Sequence, residues 1–307
     1  MQVFLNEFIH PKAVEYLTAH AEVVKDLEHL EQAEGMIVRG IRVNREIMER
    51  APKLKVIARH GAGFDTIDVE AARERGIHVL NAPGANTVSV AEMIVARFLE
   101  MSRDLYKANV GLRRGSFHRI APPDMLGTEV SGKTLGLIGM GRIHQCAANM
   151  LKAAFQVRVT GYDPFVTEEE ARKRGIQKMD TVEKLLESSD LVSISIYLTE
   201  DTKNFIHGSM FDHFKKNAIF VNTARGGIVN EEDLYHALKE GKLRGAAFDV
   251  FASEPLRADS RLLELDNFSA TPHIGGNTEE ALYRTGMAVV ENTLRVLRGE
   301  PAEGIIV

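Results

Sequence analysis

The sequence contains a single cysteine, Cys146. One thiol can form neither an intramolecular disulfide nor a cysteine-rich zinc site, so we expect a reducing compartment and no metal. No apolar run reaches the ~18–20 residues that a membrane-spanning helix requires. The N-terminus also lacks a basic region followed by an apolar signal core. These absences predict a cytoplasmic globular protein.

A strong excess of either charge is also missing. The chain carries 38 Lys and Arg against 43 Asp and Glu, a formal net charge of −5. This balance gives no support for a general nucleic-acid-binding or anionic-membrane-binding surface. We therefore expect neither nucleic acid nor membrane as a partner.

Short apolar runs rich in Val and Ile recur along the 307 residues, separated by helix-like stretches. Ten such runs are candidate strands: Val3–Phe8, Met36–Val38, Leu54–Ala58, His78–Leu80, Thr134–Ile138, Val157–Tyr162, Leu191–Ile196, Ala218–Val221, Gly245–Val250 and Phe268–Ala270. Strands that alternate with helices form parallel sheets covered on both faces. Ten strands are many for one open sheet, and the sequence therefore predicts an α/β protein with two doubly wound parallel-sheet domains.

Two long amphipathic stretches, Ser89–Met101 and Thr278–Arg298, suggest where the domains meet. If both cross between domains, residues 1–98 and 276–307 form one domain and residues 99–275 form the other. The segment Leu105–Val130 contains no candidate strand and is long for a plain connector. We expect it to be an arm or an interface segment.

The sharpest local signal is Lys133–His144, in which an apolar strand leads into a glycine turn and then a helix. Gly139 allows the tight turn, and Gly141 allows the backbone to approach a pyrophosphate. The N-terminus of the following helix supplies free N–H groups and a positive dipole end. This arrangement predicts a dinucleotide-binding site.

The acid Asp163 follows the next candidate strand, about 20 residues after the glycine turn. An acid there accepts hydrogen bonds from a ribose 2′-hydroxyl and repels a 2′-phosphate. Pro164 and Phe165 follow it, and neither side chain can hold that phosphate. The predicted cofactor is therefore NAD(H) and not NADP(H).

His144 occupies the position of the third glycine in the G-x-G-x-x-G pattern. That glycine normally permits close packing of helix on strand. An imidazole must therefore tilt the helix or point away, and we expect a tolerated or surface histidine, with a pyrophosphate contact as the alternative.

Polar residues follow three later candidate strands, where ligands of doubly wound sheets bind. They include Arg225, Glu254 and His273. Histidine suits the delivery of a proton to an alkoxide, and a neighbouring carboxylate favours its charged form. Arginine binds a carboxylate with two hydrogen bonds. Alternatively, the three are a surface ion-pairing residue, a turn residue and a loop hydrogen-bonding residue.

The sequence resembles the D-isomer-specific 2-hydroxyacid dehydrogenase family, which includes phosphoglycerate, D-lactate and glycerate/hydroxypyruvate dehydrogenases. The resemblance covers most of the chain from Arg59. It rests on RHGAGFDTID (59–68), NAPGANTVSVAE (81–92), GKTLGLIGMGRI (132–143), GYDP (161–164), NTARGGIVNEEDL (222–234), FDVFASEP (248–255) and TPHIGG (271–276).

The resemblance implies a Rossmann NAD-binding domain inserted in a flavodoxin-like substrate domain. It implies that Arg225 binds substrate, that Glu254 tunes the histidine, and that His273 donates the proton. It also implies that Ala62 and Gly63 present backbone N–H groups to the substrate carboxylate. The implied cofactor-binding residues are Gly139, Gly141, Arg142, Ile143, Asp163, Thr223, Asp249, Gly275 and Gly276. Members of the family usually dimerise through the cofactor domain, which would explain Leu105–Val130.

The sequence departs from the family pattern in two further places. Ser195-Ile196-Tyr197 stands where the family often has a His-x-Pro run, and the chain ends at Val307, so we expect no appended regulatory domain. Glu254 argues against formate dehydrogenase, where a glutamine is typical.

The resulting hypothesis is an NAD-dependent D-2-hydroxyacid dehydrogenase, which reduces a small 2-oxo acid such as hydroxypyruvate, glyoxylate or 3-phosphohydroxypyruvate. The alternatives are an NADH-sensing co-repressor-like binding protein and a phosphite dehydrogenase. Arg59 and His60 leave open whether the substrate carries a phosphate. They either bind such a phosphate or form a buried ion pair and a structural histidine, respectively.

Overall fold

The computed structural model describes all residues, 1–307, and the chain divides into two compact units. The first unit contains Met1–Ser89 and Gly276–Val307, and the second contains Val90–Gly275. The expected boundary after residue 98 is therefore displaced, because Ala91, Ile94 and Phe98 are buried in the core of the second unit. None of the helices combines the length and the apolar character needed to cross a membrane.

The elements alternate along most of the chain. The strands are β1 (Gln2–Phe4), β2 (Glu22–Val24), β3 (Gly35–Val38), β4 (Val56–Arg59), β5 (His78–Leu80), β6 (Thr134–Ile138), β7 (Arg158–Tyr162), β8 (Gln177–Lys178), β9 (Leu191–Ile194), β10 (Ile219–Asn222), β11 (Gly245–Phe248) and β12 (Phe268–Ala270). The α-helices are α1 (Pro11–His20), α2 (Arg45–Glu49), α3 (Val69–Glu74), α4 (Thr87–Arg103), α5 (Leu105–Arg113), α6 (Arg142–Phe155), α7 (Glu168–Lys173), α8 (Val182–Ser188), α9 (Glu231–Lys239) and α10 (Glu279–Arg298). Short 3₁₀ helices lie at Pro123–Met125, Gly208–His213 and Arg261–Glu264.

The first unit is built on a five-stranded parallel sheet in the order β2-β1-β3-β4-β5. Successive residues of a strand point to opposite faces. Met36 and Val38 accordingly belong to one apolar cluster, and Ile37 belongs to the other, which also contains Val289 and Leu294 of α10. Both faces are thus covered, as the continuous apolar runs predict.

The second unit is built on a seven-stranded parallel sheet in the order β12-β11-β10-β9-β6-β7-β8. Its strands also divide their side chains between two clusters: Phe220 lies on one face, and Ile219 and Val221 lie on the other. The prediction of two doubly wound parallel-sheet domains is confirmed. Strands β2 and β8, which were not expected, are short and lie at the sheet edges.

The segment after α4 is poorly buried. Helix α5 was not predicted, and none of its residues is buried. Large apolar side chains are exposed along α5 and the following residues: Leu105, Tyr106, Leu112, Ile120 and Leu126, of which Ile120 is 96% exposed. This segment therefore presents apolar side chains that the chain itself does not cover.

Strand β6 is packed so closely that one of its positions admits no side chain. A Cβ atom at Gly136 would lie 2.2 Å from Ser189 Oγ and 2.7 Å from Leu185 Cδ2. We expect Gly136→Ala to lower the free energy of unfolding by about 1–3 kcal/mol, because a methyl group there overpacks the core. Urea unfolding followed by circular dichroism measures this change.

Gly141→Ala is the matched control, because a Cβ atom at Gly141 meets nothing within 4 Å. If both variants lost the same stability, packing around β6 would not be the cause.

Candidate active site

The turn after β6 requires glycine at its first position. Gly139 has a φ of +88°, and a Cβ atom there would lie 2.4 Å from the carbonyl oxygen of Ser195. The residue after β9 therefore packs directly against the glycine turn.

Helix α6 begins without a side-chain cap, because its N-cap residue is Gly141. The first hydrogen bond along the helix runs from the N–H of Gln145 to the carbonyl of Gly141, at 3.0 Å. The first-turn N–H groups of Arg142, Ile143 and His144 therefore have no acceptor within the helix. Open space around the α-carbon of Gly141 gives an anion access to them. This end of α6 fits a dinucleotide pyrophosphate.

Helices α9 and α10 differ in this respect. Asn230 caps α9 and Thr278 caps α10, each with a side-chain oxygen that accepts N–H groups of the first turn. The uncapped start of α6 therefore leaves donors for a ligand, where the other two helices satisfy theirs internally.

Asp163 follows β7 and is joined to the glycine turn. Its Oδ2 accepts a hydrogen bond from the N–H of Met140 at 2.9 Å, and its Oδ1 accepts one from the N–H of Phe165 at 3.0 Å. These bonds hold the carboxylate beside the turn. Its contact with a ribose hydroxyl stays a prediction.

His144 is fully buried, and the expectation of a surface histidine is wrong. Its Nδ1 lies 2.5 Å from the carbonyl oxygen of Gly139, and its Nε2 lies 2.9 Å from the hydroxyl of Ser193. A carbonyl only accepts, so Nδ1 carries the proton, and the hydroxyl of Ser193 donates to Nε2. Burial lowers the pKa of His144 to about 4. The ring is therefore neutral and connects the glycine turn to β9.

The turn after β10 contains a polar group without a partner. Oγ1 of Thr223 is buried and makes no hydrogen bond. The side chain of Asn222 braces this turn by accepting from the N–H of Ala224 at 3.0 Å and donating to the carbonyl of Arg225 at 3.1 Å. An unsatisfied buried hydroxyl suits a position that contacts a ligand. This observation agrees with the predicted cofactor contact at Thr223.

Glu254 and His273 form a hydrogen-bonded pair. Nδ1 of His273 lies 2.7 Å from Oε2 of Glu254, and Oε1 of Glu254 accepts from the N–H of Phe251 at 3.0 Å. Burial acts to raise the pKa of Glu254, but these hydrogen bonds and the charge of Arg225 outweigh it and lower the pKa. The carboxylate therefore stays ionised beside the imidazole, with Arg225 close enough to act on it.

A buried carboxylate supports the backbone around His273. Oδ1 of Asp249 accepts from the hydroxyl of Thr271 at 2.6 Å and from the N–H of Ile274 at 2.9 Å. Its Oδ2 accepts from the N–H of Gly275 at 2.7 Å. The predicted contacts of Asp249 and Gly275 with the dinucleotide stay predictions, and within the chain the two residues bind each other.

Glu231, which was not singled out in the sequence, also supports this site. Its Oε1 accepts from the N–H of Ala252 at 2.6 Å, close to Glu254. Burial, and then the charge of Glu254, raises the pKa of Glu231. Its place at the first position of α9 resembles that of an ordinary first-turn acid, so no sequence signal distinguishes it.

The predicted substrate loop lies in the first unit, immediately after β4. The side chain of Asn81 donates to the carbonyl of Ala62 at 2.6 Å, and Gly63 is buried. His60 is also buried, and its pKa is lowered to about 4 by burial and then by the charges of Arg39 and Arg59. These facts favour the structural alternative for His60.

The fold and the glycine turn define a dinucleotide-binding protein with a His–Glu pair. Residues 95–275 match the family described as "D-isomer specific 2-hydroxyacid dehydrogenase, NAD binding domain". The chain belongs to this family, and this region is its NAD-binding domain.

Similar proteins carry related names. A D-3-phosphoglycerate dehydrogenase of Methanocaldococcus jannaschii is 42% identical over the whole chain, which spans 59% of that relative's length. A hydroxypyruvate reductase of Thermotoga maritima is 39% identical over 96% of the chain and 98% of the relative. The structure of an NADPH-dependent glyoxylate/hydroxypyruvate reductase of Sinorhizobium meliloti, with NADP and malonate, covers 100% of this chain and 96% of its own. Its TM-score is 0.89 and its identity is 26%.

The buried neutral His144 makes stability depend on pH. Its pKa is about 4 in the folded chain and ~6.5 when unfolded, so between these two pH values the proton binds mainly to the unfolded chain. We expect this residue to cost about 2–3 kcal/mol of stability between pH 7 and pH 4.5. Urea unfolding of the parent protein and of His144→Gln at both pH values measures it.

The variant should lose less stability on acidification than the parent protein by that amount. His60 titrates similarly in both proteins and cancels in the comparison. Equal losses in the two proteins would show that His144 is not the group responsible.

Proposed function

We propose that this chain is an NAD-dependent D-2-hydroxyacid dehydrogenase that reduces small 2-oxo acids. The observation that carries the proposal is the 2.7 Å pairing of His273 with Glu254 in the unit that contains the dinucleotide turn. A reductase of a carbonyl group needs a proton donor beside the nicotinamide, and a histidine held by an ionised carboxylate meets that need.

The proton comes from the imidazolium of His273. Its Nδ1–H donates to Glu254, so Nε2 is the atom that gives a proton to the substrate oxygen. Because the carboxylate of Glu254 is ionised, it stabilises the imidazolium before transfer and fixes the ring orientation. When bound, the nicotinamide supplies the hydride, and the carbonyl becomes a hydroxyl with one hydride and one proton added.

Arg225 is proposed to bind the substrate carboxylate. Its guanidinium acts on the charge of Glu254, and Nη1 also donates to the carbonyl of Ala224 at 2.6 Å, which restrains the side chain. Arginine offers two parallel donors to a carboxylate. We also propose that the N–H groups of Ala62 and Gly63 bind this carboxylate, as the family resemblance implies.

The substrate is proposed to be hydroxypyruvate, glyoxylate or 3-phosphohydroxypyruvate. The names of the Thermotoga and Methanocaldococcus relatives support the first and the third. The neutral state of His60 removes one candidate cation for a substrate phosphate.

We further propose a homodimer formed through the second unit. The support is the exposed apolar surface on Leu105–Arg113 and the residues after it. A cytoplasmic location is proposed because the single Cys146 leaves no intramolecular disulfide to form.

The first test is a substrate panel with purified protein, followed as loss of reduced-nicotinamide absorbance. The panel is glyoxylate, hydroxypyruvate, pyruvate, 2-oxoglutarate, phenylpyruvate and 3-phosphohydroxypyruvate, each with NADH and with NADPH. We expect turnover of glyoxylate and hydroxypyruvate with NADH, because Asp163 repels a 2′-phosphate. The NADP-containing Sinorhizobium structure makes the comparison of the two cofactors necessary.

A preference for NADPH would overturn the role given to Asp163. Binding of NADH without turnover of any panel member would contradict the proposed reaction and favour a binding protein.

The second test removes the proton donor. We expect His273→Ala to lose kcat by about 10²–10⁴-fold, the usual contribution of a positioned general acid, with the Kd for NADH nearly unchanged. His273→Asn is the control for the backbone, because φ at this residue is +54° and asparagine tolerates that region.

Arg225→Ala is the matched comparison and should mainly raise KM for the 2-oxo acid. Near-parental turnover by both His273 variants would contradict the assignment of the proton donor. A loss confined to NADH affinity in Arg225→Ala would contradict its role with substrate.

A further inference from the structure

A charged side chain with no part in the proposed chemistry is buried within α4. Arg97 is 6% exposed, in a helix whose neighbouring residues Ile94 and Phe98 belong to the core. Its guanidinium forms an ion pair with Glu100. A buried charge is costly unless it is paired and hydrogen-bonded, and the two Nη atoms of Arg97 have such partners, while Nε is buried without one.

Two of those partners are hydroxyl groups at the end of β12. Nη1 of Arg97 donates to Oγ of Ser269 at 3.2 Å, and Nη2 donates to Oγ1 of Thr271 at 3.1 Å. The hydroxyl of Ser269 donates in turn to Glu100 at 2.9 Å. Ser269 therefore binds both members of the ion pair, whereas Thr271 binds Arg97 and a residue outside the pair.

The bond to Thr271 fixes the direction of that hydroxyl. A guanidinium has only donors, so Thr271 must accept from Arg97 and point its own hydrogen elsewhere. That hydrogen goes to Oδ1 of Asp249 at 2.6 Å. Arg97 thus orients the hydroxyl that donates a hydrogen bond to the buried carboxylate of Asp249.

Asp249 in turn holds the backbone around His273 by hydrogen bonds. Its two carboxylate oxygens hold the N–H groups of Ile274 and Gly275, and its carbonyl accepts from the N–H of His273 at 2.8 Å. The backbone of His273 has a φ of +54°, which costs energy for a residue other than glycine. Such a conformation persists only where its surroundings impose it.

We propose that Arg97 is a positioning residue for His273, acting through Thr271 and Asp249. The inference rests on the proposed function for its effect on turnover, but the effect on the backbone of residues 271–276 is independent of any activity. Ser269 provides the internal comparison, because it uses the same guanidinium and does not touch Asp249.

The experiment compares Arg97→Met, Thr271→Val and Ser269→Ala. For the first two we expect kcat to fall about 10–100-fold, the effect of a small displacement of a catalytic group, with the Kd for NADH changing less than kcat. Amide hydrogen exchange in peptides covering 271–276 should be faster in both. Ser269→Ala should leave kcat and this exchange near the parental values.

The double variant Arg97→Met with Thr271→Val shows whether the two residues act together. If Arg97 acts through Thr271, the double variant should be no worse than the poorer single variant, because residues on one path are not additive. Multiplied losses of kcat, or equal effects from Ser269→Ala, would overturn the proposal and leave Arg97 as a structural ion pair.

Folding and function remain separable in this design. Should Arg97→Met fail to fold because Glu100 is left unpaired, Arg97→Met with Glu100→Gln removes both charges together. If the parent protein reduces no 2-oxo acid, the proposed function fails, and unchanged exchange at 271–276 in Thr271→Val is then the result that contradicts positioning.

Discussion

The parallel order of the second sheet is the constraint on which the candidate site depends. All of its strands run in one direction, so the residues that follow them emerge at one edge. The first residue after β6, β7, β10, β11 and β12 lies in each case at the candidate site: Gly139, Asp163, Thr223, Asp249 and Thr271. The sheet therefore sets the positions, and the side chains determine what each position can do.

These residues form two layers with different tasks. The inner layer is buried and polar, and Asp249 there collects a hydroxyl and two N–H groups from the segment that contains His273. The outer layer contains Arg225, Glu254 and His273, whose charges interact directly. The inner layer satisfies the backbone of a loop that would otherwise bury unpaired donors, and so allows the outer side chains to remain partly exposed.

Sequence patterns predicted the doubly wound fold and the glycine turn, because each is encoded in neighbouring residues or in strand-to-helix alternation. Glu254 and His273 are distant in sequence, and their pairing was suggested by polar residues after two late strands and by the family resemblance. Other features depend on distant partners. The ring of buried His144, on α6, has a hydrogen-bond partner in the hydroxyl of Ser193, on β9. In the sequence, Arg97 looks like an ordinary polar residue of an amphipathic helix. Only the structure shows that its side chain contacts Thr271. The domain boundary was displaced for the same reason, since periodicity does not reveal which core a helix packs against.

His144 and Arg97 show two ways of burying a basic side chain. Histidine can lose its proton, so His144 is neutral and needs only one acceptor and one donor. Arginine cannot, and Arg97 is instead paired with Glu100, which is itself partly buried. Two apolar residues in place of Arg97 and Glu100 would be at least as compatible with stability. Such an apolar pair would not orient the hydroxyl of Thr271. The positive-φ backbone of His273 would then be held by one interaction fewer. The ion pair is better explained by the single arrangement that it imposes than by the stability that it adds.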